Sequence, residues 1–485
     1  MQFPMKSLSR LSRRGIGRMT TALFLGVVLV LNILVYALAT RFSWYFYTAD
    51  KYTHEIGDSM AEKFVAAEHK VAVRFCMTEA DLEKNTAYRL VYETAKQYAA
   101  AYPDKVELLT PYSIYTDHRA VLAYEEKFRD KGQEVTLSET SVIFESEEDL
   151  RHFSLSDFFI LNANREITAY NGEEVFAAAC LWVQTKSEDH PTAYFTVDHG
   201  ENFAISGLTT KLVLSGYRVG TVRLSESDVP DDCALLIISN PLYDFEKAGE
   251  GSTVKTELSR LESYIDGGGR LYLTFDAAND ACRRMTNLRS LLLKYGLSFS
   301  DELLYDYENG ITRDGKTAAA VYAADGKGAS VGETAQKYNA ARVVYRDAAP
   351  LTLYQDNDKG AAVYPVLFTS DTAETASEGR GKKVLSAMAD TAAGGKLYLA
   401  ASGYMNYDDV INSKNYGNSD LFYALLAEYG CPTAPAGCTV LPIETAALDN
   451  LTVGTANRIF ILMVAVLPLL LAGTATAVCL YRRKR

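Results

Sequence analysis

Neither end of this 485-residue chain contains an acidic residue, although the whole chain carries a formal net charge of −12. Residues 1–40 hold five basic side chains and residues 458–485 hold five more, with no Asp or Glu in either range. The remaining residues, 41–457, therefore carry 39 basic against 61 acidic side chains, a balance of about −22. A surface of that sign repels the phosphate backbone, so the composition argues against binding to nucleic acid.

Cysteines with the spacing of metal ligands are also missing. The seven cysteines include no Cys-x-x-Cys and no Cys/His ligand pattern, so the sequence predicts no zinc site. Four isolated cysteines in apolar or helical surroundings are expected to pack as small hydrophobic side chains: Cys76, Cys180, Cys233 and Cys282. Cys431 and Cys438 are close enough in sequence for a disulfide in an oxidising exterior, and the sequence leaves that pairing open.

Two long runs, 22–39 and 459–480, lack Asp, Glu, Lys and Arg altogether. Each run is long enough to span a bilayer as a helix. Because the basic clusters lie on the terminal side of each run, the positive-inside rule predicts a two-pass cell-membrane protein with cytoplasmic termini and an extracytoplasmic middle. A cleavable signal peptide is the alternative for the first run, and Ala37-Leu38-Ala39 favours it.

Between these runs, short apolar stretches alternate with amphipathic helical patterns. The strand-like stretches 69–76 and 106–109 flank a helical pattern, which predicts a βαβ unit with parallel strands. Further along, the stretches 193–197, 233–239 and 270–276 alternate with helical patterns. That alternation predicts an open, doubly wound parallel sheet.

These patterns divide the chain into seven segments. In order they are a basic cytoplasmic tail (1–18), a transmembrane helix (19–40), a first extracytoplasmic α/β module (41–190), a second α/β module (191–430) with a β-rich or loop-rich insertion at about 300–392, a linker (431–457), a second transmembrane helix (458–480) and a basic cytoplasmic tail (481–485). The predicted fold class is α/β, with two extracytoplasmic modules flanked by transmembrane helices.

A cluster of ionisable residues follows the first strand of the second module. The loop 198–201 (Asp-His-Gly-Glu) comes directly after the apolar run 194–197, and Asp276 ends a later strand. The carboxyl ends of parallel strands meet at one edge of a sheet, where ligands bind in such folds. The candidate ligand-binding residues are therefore Asp198, His199, Glu201 and Asp276. Three interpretations stay open: a ligand or divalent-metal site, simple capping of the next helix by the two acids, and a hydrolase with the histidine as base.

Residues 310–317 match the pattern G-x-x-x-x-G-K-T of a phosphate-binding loop. Such a loop needs a buried apolar strand before it and a helix after it. Here an acidic stretch, 305–309, precedes the motif, and a strand-like stretch, 317–322, follows it. The segment is therefore predicted to be a hairpin turn, and no nucleotide or other cofactor is expected.

Several short motifs also follow one another in a characteristic order. They are Asn171-Gly172-Glu173 before a helix, His199-Gly200-Glu201, the helix end 264–268 followed by 271–276, the stretch 365–370, Asn418-Ser419-Asp420, and a final apolar run ending in the basic residues 482–485. In this order, and with an apolar run at either end, the chain resembles the GldG-like family. Members of that family are membrane-anchored auxiliary proteins of ABC-type transport systems, first associated with gliding motility.

The resemblance implies an extracytoplasmic domain with a class I glutamine-amidotransferase-like fold, an ABC permease partner and a cytoplasmic ATPase partner. The family loop usually reads Gly-His-Gly-Glu, and Asp198 replaces the first glycine here. Enzymes of that fold use a cysteine on a tight strand-to-helix turn. The corresponding turn in this chain, 275–278, contains no cysteine, so covalent catalysis has no nucleophile.

The resemblance therefore implies a non-enzymatic auxiliary subunit of a bacterial ABC transporter, either substrate-binding or scaffolding, with an envelope component or a small molecule as cargo. Glu173 is interpreted as a residue that starts a helix rather than as a catalyst. The alternative hypothesis is a membrane-tethered extracytoplasmic hydrolase or ligand-binding enzyme that uses the loop 198–201.

Overall fold

The fold is taken from a computed structural model. The structure describes residues 56, 67–161, 167–201, 206–247, 249, 255–337, 340–413, 415–434, 438, 440–442 and 481. The two predicted transmembrane segments, 19–40 and 458–480, lie outside these residues. Among the described residues, no helix has the length and apolar character needed to cross a membrane.

The first half of the described chain is built on a four-stranded sheet in the order β2-β1-β3-β4. Its elements are β1 (Val71–Phe75), α1 (Glu79–Lys84), α2 (Thr86–Ala101), β2 (Val106–Leu108), α3 (His118–Asp130), β3 (Ser141–Glu145) and β4 (Leu150–Ser154). Asn85 caps α2 by accepting from the backbone N–H groups of Ala87 and Tyr88. Strands β1 and β2 are parallel, which confirms the predicted βαβ unit.

A smaller sheet and a buried helix follow. The smaller sheet has the order β19-β6-β5 and consists of β5 (Phe159–Leu161), β6 (Ile167–Tyr170) and β19 (Leu441–Pro442). Helix α4 (Gly172–Trp182) comes directly after β6. Residues 441–442, which the sequence assigned to a linker, thus form a strand because they supply hydrogen-bonding partners to the backbone of β6.

The second half is organised around a ten-stranded sheet. Its elements are β7 (Thr192–Thr196), α5 (Ser206–Leu214), β8 (Arg218–Val222), β9 (Cys233–Ser239), α6 (Glu257–Asp266), β10 (Arg270–Thr274), α7 (Asp280–Arg283), α8 (Thr286–Lys294), β11 (Leu297–Phe299), β12 (Thr317–Ala319), β13 (Val321–Tyr322), α9 (Gly326–Gln336), β14 (Val344–Arg346), β15 (Leu351–Leu353), β16 (Ala362–Phe368), β17 (Val384–Asp390), β18 (Lys396–Ala400), α10 (Asp408–Ile411) and α11 (Asn418–Glu428). Strands β12 and β14 form a separate pair.

Five adjacent strands of the large sheet, in the order β8-β7-β9-β10-β18, are parallel. Helices α5 and α11 cover one face, while α6 and α8 cover the other. The predicted α/β class and a parallel core with helices on both faces are therefore confirmed, whereas the sheet as a whole is mixed. The predicted insertion at about 300–392 adds antiparallel strands beyond β18, beginning with β17, to the same sheet.

Side-chain alternation along the strands divides the sheet's apolar residues between two cores. In β10, Tyr272 packs on the α5 and α11 side, whereas Leu271 and Leu273 pack on the α6 and α8 side. The first of these cores continues into the first half of the chain, where it includes Val73 and Phe144. The two predicted modules therefore share one hydrophobic core.

Two further sequence interpretations fall on described residues. The segment 310–317 forms a turn in which the backbone N–H of Ile311 donates to the carbonyl of Thr317 at 2.7 Å. Strand β12, rather than a helix, begins at Thr317, so the prediction of a turn is confirmed. Cys431 and Cys438, both described, are not joined by a disulfide.

Candidate functional site

The strand order of the parallel core locates the position where this kind of fold binds ligands. Counted from β7, the five parallel strands have the order 2-1-3-4-5, the order of flavodoxin-like folds. The chain leaves β7 toward β8 on one side and resumes at β9 on the other. The crevice between the carboxyl ends of β7 and β9 is therefore the topological switch point. The loops 197–201 and 240–245 border it.

In the loop after β7, the side chains of Asp198 and His199 point in different directions. Asp198 has a φ of 94° and Gly200 a φ of 70°, so the backbone reverses sharply around His199. The His199 side chain turns inward and is 4% exposed. Asp198 stays near the surface, where its carboxylate pairs with Arg223 Nη1 at 3.0 Å and accepts from Ser225 Oγ at 3.2 Å.

His199 lies between two buried carboxylates. Its Nδ1 is 3.3 Å from Glu201 Oε1, and its Nε2 is 3.0 Å from Glu257 Oε2. The backbone N–H of His199 donates to Glu201 Oε2 at 2.7 Å. The imidazole also stacks on Phe245, with ring centroids 3.9 Å apart and planes at 18°. Both ring nitrogens therefore have protein partners; we name His199, Glu201 and Glu257 the histidine cluster.

Contacts within the histidine cluster shift the pKa values of His199 and Glu201. Burial opposes protonation of His199, but the hydrogen bonds to Glu201 and Glu257 outweigh it and raise the His199 pKa above its usual 6.5. Burial alone would raise the pKa of Glu201, yet the hydrogen bond with His199 and backbone N–H groups hold it below the usual 4.5. These two shifts favour a protonated His199 imidazole beside an ionised Glu201 carboxylate.

Direct hydrogen bonds join the two loops that border the switch point. The backbone N–H groups of Leu242 and Tyr243 donate to the carbonyl of His199 at 2.7 and 2.9 Å. The backbone N–H of Glu246 donates to Glu257 Oε2 at 2.6 Å. The protein's own backbone and side chains therefore close the crevice in which related strand arrangements hold a ligand.

The neighbouring crevice, between β9, β10 and β18, is also filled. Asn240, directly after β9, has a φ of 51° and accepts from Thr274 Oγ1 at 3.3 Å. A Cβ added to Gly403, in the segment after β18, would lie 2.0 Å from Asn240 Oδ1. Only a glycine lets the backbone approach the amide this closely. Protein atoms therefore fill this second crevice of the carboxyl edge as well.

Asp276, the fourth predicted site residue, follows β10. It accepts from the backbone N–H of Ala278 at 3.0 Å. Burial and the nearby charge of Asp347 raise its pKa. Within the described residues, no hydrogen bond or ion pair joins Asp276 to the histidine cluster. The structure thus brings together His199 and Glu201 and places Asp198 and Asp276 elsewhere on the same edge.

Glu257 is the residue that sequence reasoning missed. It is the first residue of α6, 58 positions after His199, and Thr256 precedes it as the N-cap. An acid in the first turn of a helix usually indicates a favourable interaction with the helix dipole, and that pattern gives no sign of a distant histidine partner. The one sequence feature that could have pointed to Glu257 is its place at the start of a helix predicted to pack beside the carboxyl edge of the sheet.

The cysteine nearest the expected nucleophile turn is not placed for catalysis. Cys282 lies in α7, fully buried, and its Sγ donates to the carbonyl of Pro241 at 2.9 Å. Burial raises its pKa to about 11. A thiol with that pKa is protonated at neutral pH, whereas nucleophilic cysteines need a lowered pKa. Within the described residues there is also no group of three or more His, Cys, Asp or Glu that could hold a metal ion.

A second buried ionic group lies away from the carboxyl edge, at the start of α4. Lys211 Nζ is 2.9 Å from Glu174 Oε2, and Tyr423 donates to the other carboxylate oxygen at 2.5 Å. Asn171 Nδ2 donates to Glu174 Oε2 at 2.6 Å. We name these four residues the lysine cluster; they connect α4, α5 and α11. Glu173 lies beside them in the first turn of α4, as the sequence predicts.

No protein-family model and no curated protein matches the sequence. Several solved structures resemble part of it. They include the mmIFT52 N-terminal domain (18% identity, TM-score 0.38, covering 49% of this chain and 97% of that chain), PurLQS from Thermotoga maritima (12%, 0.31, 49% and 99%) and a ThuA-like protein from Bacteroides uniformis (11%, 0.32, 49% and 91%). These similarities are partial, and the mixed α/β fold with its parallel core is established by the chain's own strand order.

Proposed function

We propose that this chain is a non-enzymatic auxiliary subunit of a bacterial ABC transporter, anchored in the cell membrane by two helices with both termini in the cytoplasm. In this proposal the extracytoplasmic α/β domain acts mainly as a scaffold. It would present its surface to an ABC permease, to cargo or to other envelope components, and a cytoplasmic ATPase would drive transport.

The closed switch point is the observation that carries the proposal. Hydrogen bonds from Leu242 and Tyr243 to the His199 carbonyl bridge the crevice, and carboxylates occupy both imidazole nitrogens. A general base needs a ring nitrogen within reach of the substrate's proton. His199 offers none, and the buried thiol of Cys282 is not activated. A binding or scaffolding role accounts for this arrangement better than catalysis does.

The membrane part of the proposal is supported by the sequence. The runs 22–39 and 459–480 are uncharged and have basic residues on their terminal sides. The motif order that resembles the GldG-like family supports the transporter partnership. The alternative, a tethered hydrolase using the loop 198–201, would require the histidine cluster to open and free His199 for substrate.

Co-purification tests the proposal. The tagged full-length chain would be extracted from native membranes in a mild detergent, and the recovered proteins would be identified by mass spectrometry. We expect one permease and one ATPase to be recovered in amounts comparable to the bait. An unrelated two-pass protein with the same tag is the control. Recovery of neither partner, or equal recovery with the control, would contradict the transporter assignment.

A further inference from the structure

The smaller sheet carries an exposed apolar pair. Leu161, at the end of β5, lies directly opposite Ile167, at the start of β6. Their exposed fractions are 46% and 38%, which are high for apolar side chains in a paired sheet. The strand pairing fixes their positions, so the two side chains present one apolar surface, which we name the apolar pair.

The rest of this sheet is held firmly against the protein. Phe159 and Tyr170 are buried, with ring centroids 5.2 Å apart. Tyr170 is hydrogen-bonded to Thr94 of α2 at 2.6 Å and donates to the carbonyl of Leu90 at 3.1 Å. A register shift between Ile160 and Leu161 separates this anchored end from the exposed end. The apolar pair is thus displayed on a rigid support.

Both predicted membrane tethers leave the described chain close to this sheet. Strand β19 pairs with β6 and ends at Pro442. Sixteen residues, 443–458, separate it from the apolar run that begins at Ile459. At the other end, the backbone N–H of Ile56 donates to Gln97 of α2, the helix that packs on β6. Sixteen residues, 40–55, separate Ile56 from the first apolar run. Sixteen extended residues reach at most about 55 Å.

The charge pattern also distinguishes this sheet. Strands β5, β6 and β19 contain no charged residue, although the chain between the two apolar runs has a balance of about −22. An acidic surface is repelled by anionic lipid headgroups, whereas an uncharged surface with exposed apolar side chains is not. The strands of the smaller sheet thus combine exposed apolar side chains with an absence of charged ones, and Arg165 and Glu166 come just before Ile167 in the sequence.

We propose that the apolar pair, Leu161 and Ile167, rests in the headgroup region of the bilayer and so orients the domain with its smaller sheet toward the membrane. This inference rests on the proposed membrane anchoring and adds a lipid contact to it. The described chain leaves this sheet through β19 toward one predicted membrane span, and Ile56, which leads from the other span, is bonded to α2 beside the sheet. The contact fixes the domain's orientation, which two tethers alone would leave free.

Tryptophan fluorescence tests the contact. The full-length chain with Leu161→Trp would be reconstituted in vesicles of phosphatidylethanolamine and phosphatidylglycerol that contain brominated acyl chains, which quench nearby indoles. Leu293→Trp is the matched control, because Leu293 is 47% exposed in α8 on the other side of the large sheet. Emission from Trp44 and Trp182 is subtracted by measuring the unsubstituted chain. We expect loss of the emission added by L161W and little loss of that added by L293W.

The outcomes separate this inference from the proposed function. Vesicle flotation is measured on the same samples. If the chain floats and the L161W emission is quenched no more than the L293W emission, the lipid contact is wrong and the anchoring stands. If the chain fails to float, the anchoring and the lipid contact are both contradicted. Quenching of L161W without any co-purifying permease would support the lipid contact and contradict the transporter assignment.

Discussion

Two buried ionic groups hold this protein together in different ways. The lysine cluster centres on Glu174 and Lys211 and joins three helices from both halves of the chain. The histidine cluster centres on His199 and joins two loops to the start of α6. The lysine cluster is an ion pair reinforced by two further hydrogen bonds, from Tyr423 and Asn171. The histidine cluster depends on a residue type that changes charge near neutrality, so its contribution to stability depends on pH.

The comparison clarifies what each group can do. In both, the charged atoms contact partners within the chain, so neither offers a free base or nucleophile. The lysine cluster connects helices of the two predicted modules, whose apolar side chains also share a core. The histidine cluster closes the edge at which related strand arrangements bind ligands. Four substitutions test this contrast, and their expected effects decrease from Lys211 to Asp198.

Lys211→Met should have the largest effect. It leaves the Glu174 carboxylate buried without its ion-pair partner, which lowers the free energy of unfolding by about 3–5 kcal/mol. Chemical denaturation of the full-length chain in detergent measures this. Lys294→Met is the control, because Lys294 pairs with Glu262 while its side chain is 40% exposed, so its loss should cost less than about 1 kcal/mol. Equal effects of the two substitutions would show that the lysine cluster has no special role.

His199→Gln should be less costly and should remove a pH dependence. Glutamine can still donate to one carboxylate, so we expect a loss of about 1–3 kcal/mol near pH 6. The folded-state pKa of His199 is raised, so its contribution is complete below its usual 6.5 and is lost as pH rises through the raised value. The Glu201 pKa is lowered, so the contribution of that carboxylate is present above 4.5 and is lost as pH falls through the lowered value.

The free energy of unfolding, measured as a function of pH, checks the predicted direction of this pH dependence. The unsubstituted chain should lose stability as the solution is made alkaline through the His199 titration, and the difference between it and H199Q should shrink there. A difference that stays constant from pH 6 to the alkaline side would contradict a protonated His199.

Gly200→Ala should have an intermediate effect on the loop itself. The φ of +70° costs an L-residue about 1–2 kcal/mol, and the added Cβ would lie 3.1 Å from the Cβ of Leu242. Gly360→Ala provides a control with a φ of +59° and no atom within 4 Å of the added Cβ. Thermal unfolding of both variants separates backbone strain from crowding. A G200A variant no less stable than G360A would argue against tight packing between the two loops.

Asp198→Gly should produce the smallest change, and in the stabilising direction. Glycine relieves the φ of 94°, but the ion pair with Arg223, whose side chain is 55% exposed, is lost. We expect a net gain of at most about 1 kcal/mol. Arg223→Ala removes this ion pair together with the longer contact between Arg223 and Glu226 at 3.9 Å, and should cost less than about 1 kcal/mol. A clear loss of stability in D198G would show that the Asp198 side chain is structurally important.

The strands of the parallel core could be predicted because their apolar runs are continuous. The stretch 233–239, for example, is apolar along its length because β9 is covered on both faces. The partner of His199 could not be predicted, since Glu257 is 58 positions away and its contact depends on how α6 packs. The side chains of Asp198 and His199 point in different directions because Asp198 has a positive φ, and the presence of an aspartate does not predict a positive φ.

The pairing of residues 441–442 with a strand of the first half could not be predicted from the sequence either. Two residues carry no periodicity, and their pairing with β6 depends on a strand more than 270 positions earlier. The shared core follows from the same long-range packing. Local patterns therefore predict the elements, while the contacts that close the carboxyl edge and join the two halves depend on tertiary structure.

The most direct test of the scaffold role replaces the charged atoms at the closed edge and measures the assembled transporter. His199→Gln and Glu201→Gln would be combined, the complex recovered in detergent, and ATP hydrolysis measured per mole of intact complex. We expect the complex to assemble and to hydrolyse ATP at the rate of the unsubstituted complex, because the histidine cluster only closes the edge. Loss of ATP hydrolysis or transport with assembly intact would show that the loop 198–201 is a functional site and would contradict the scaffold role.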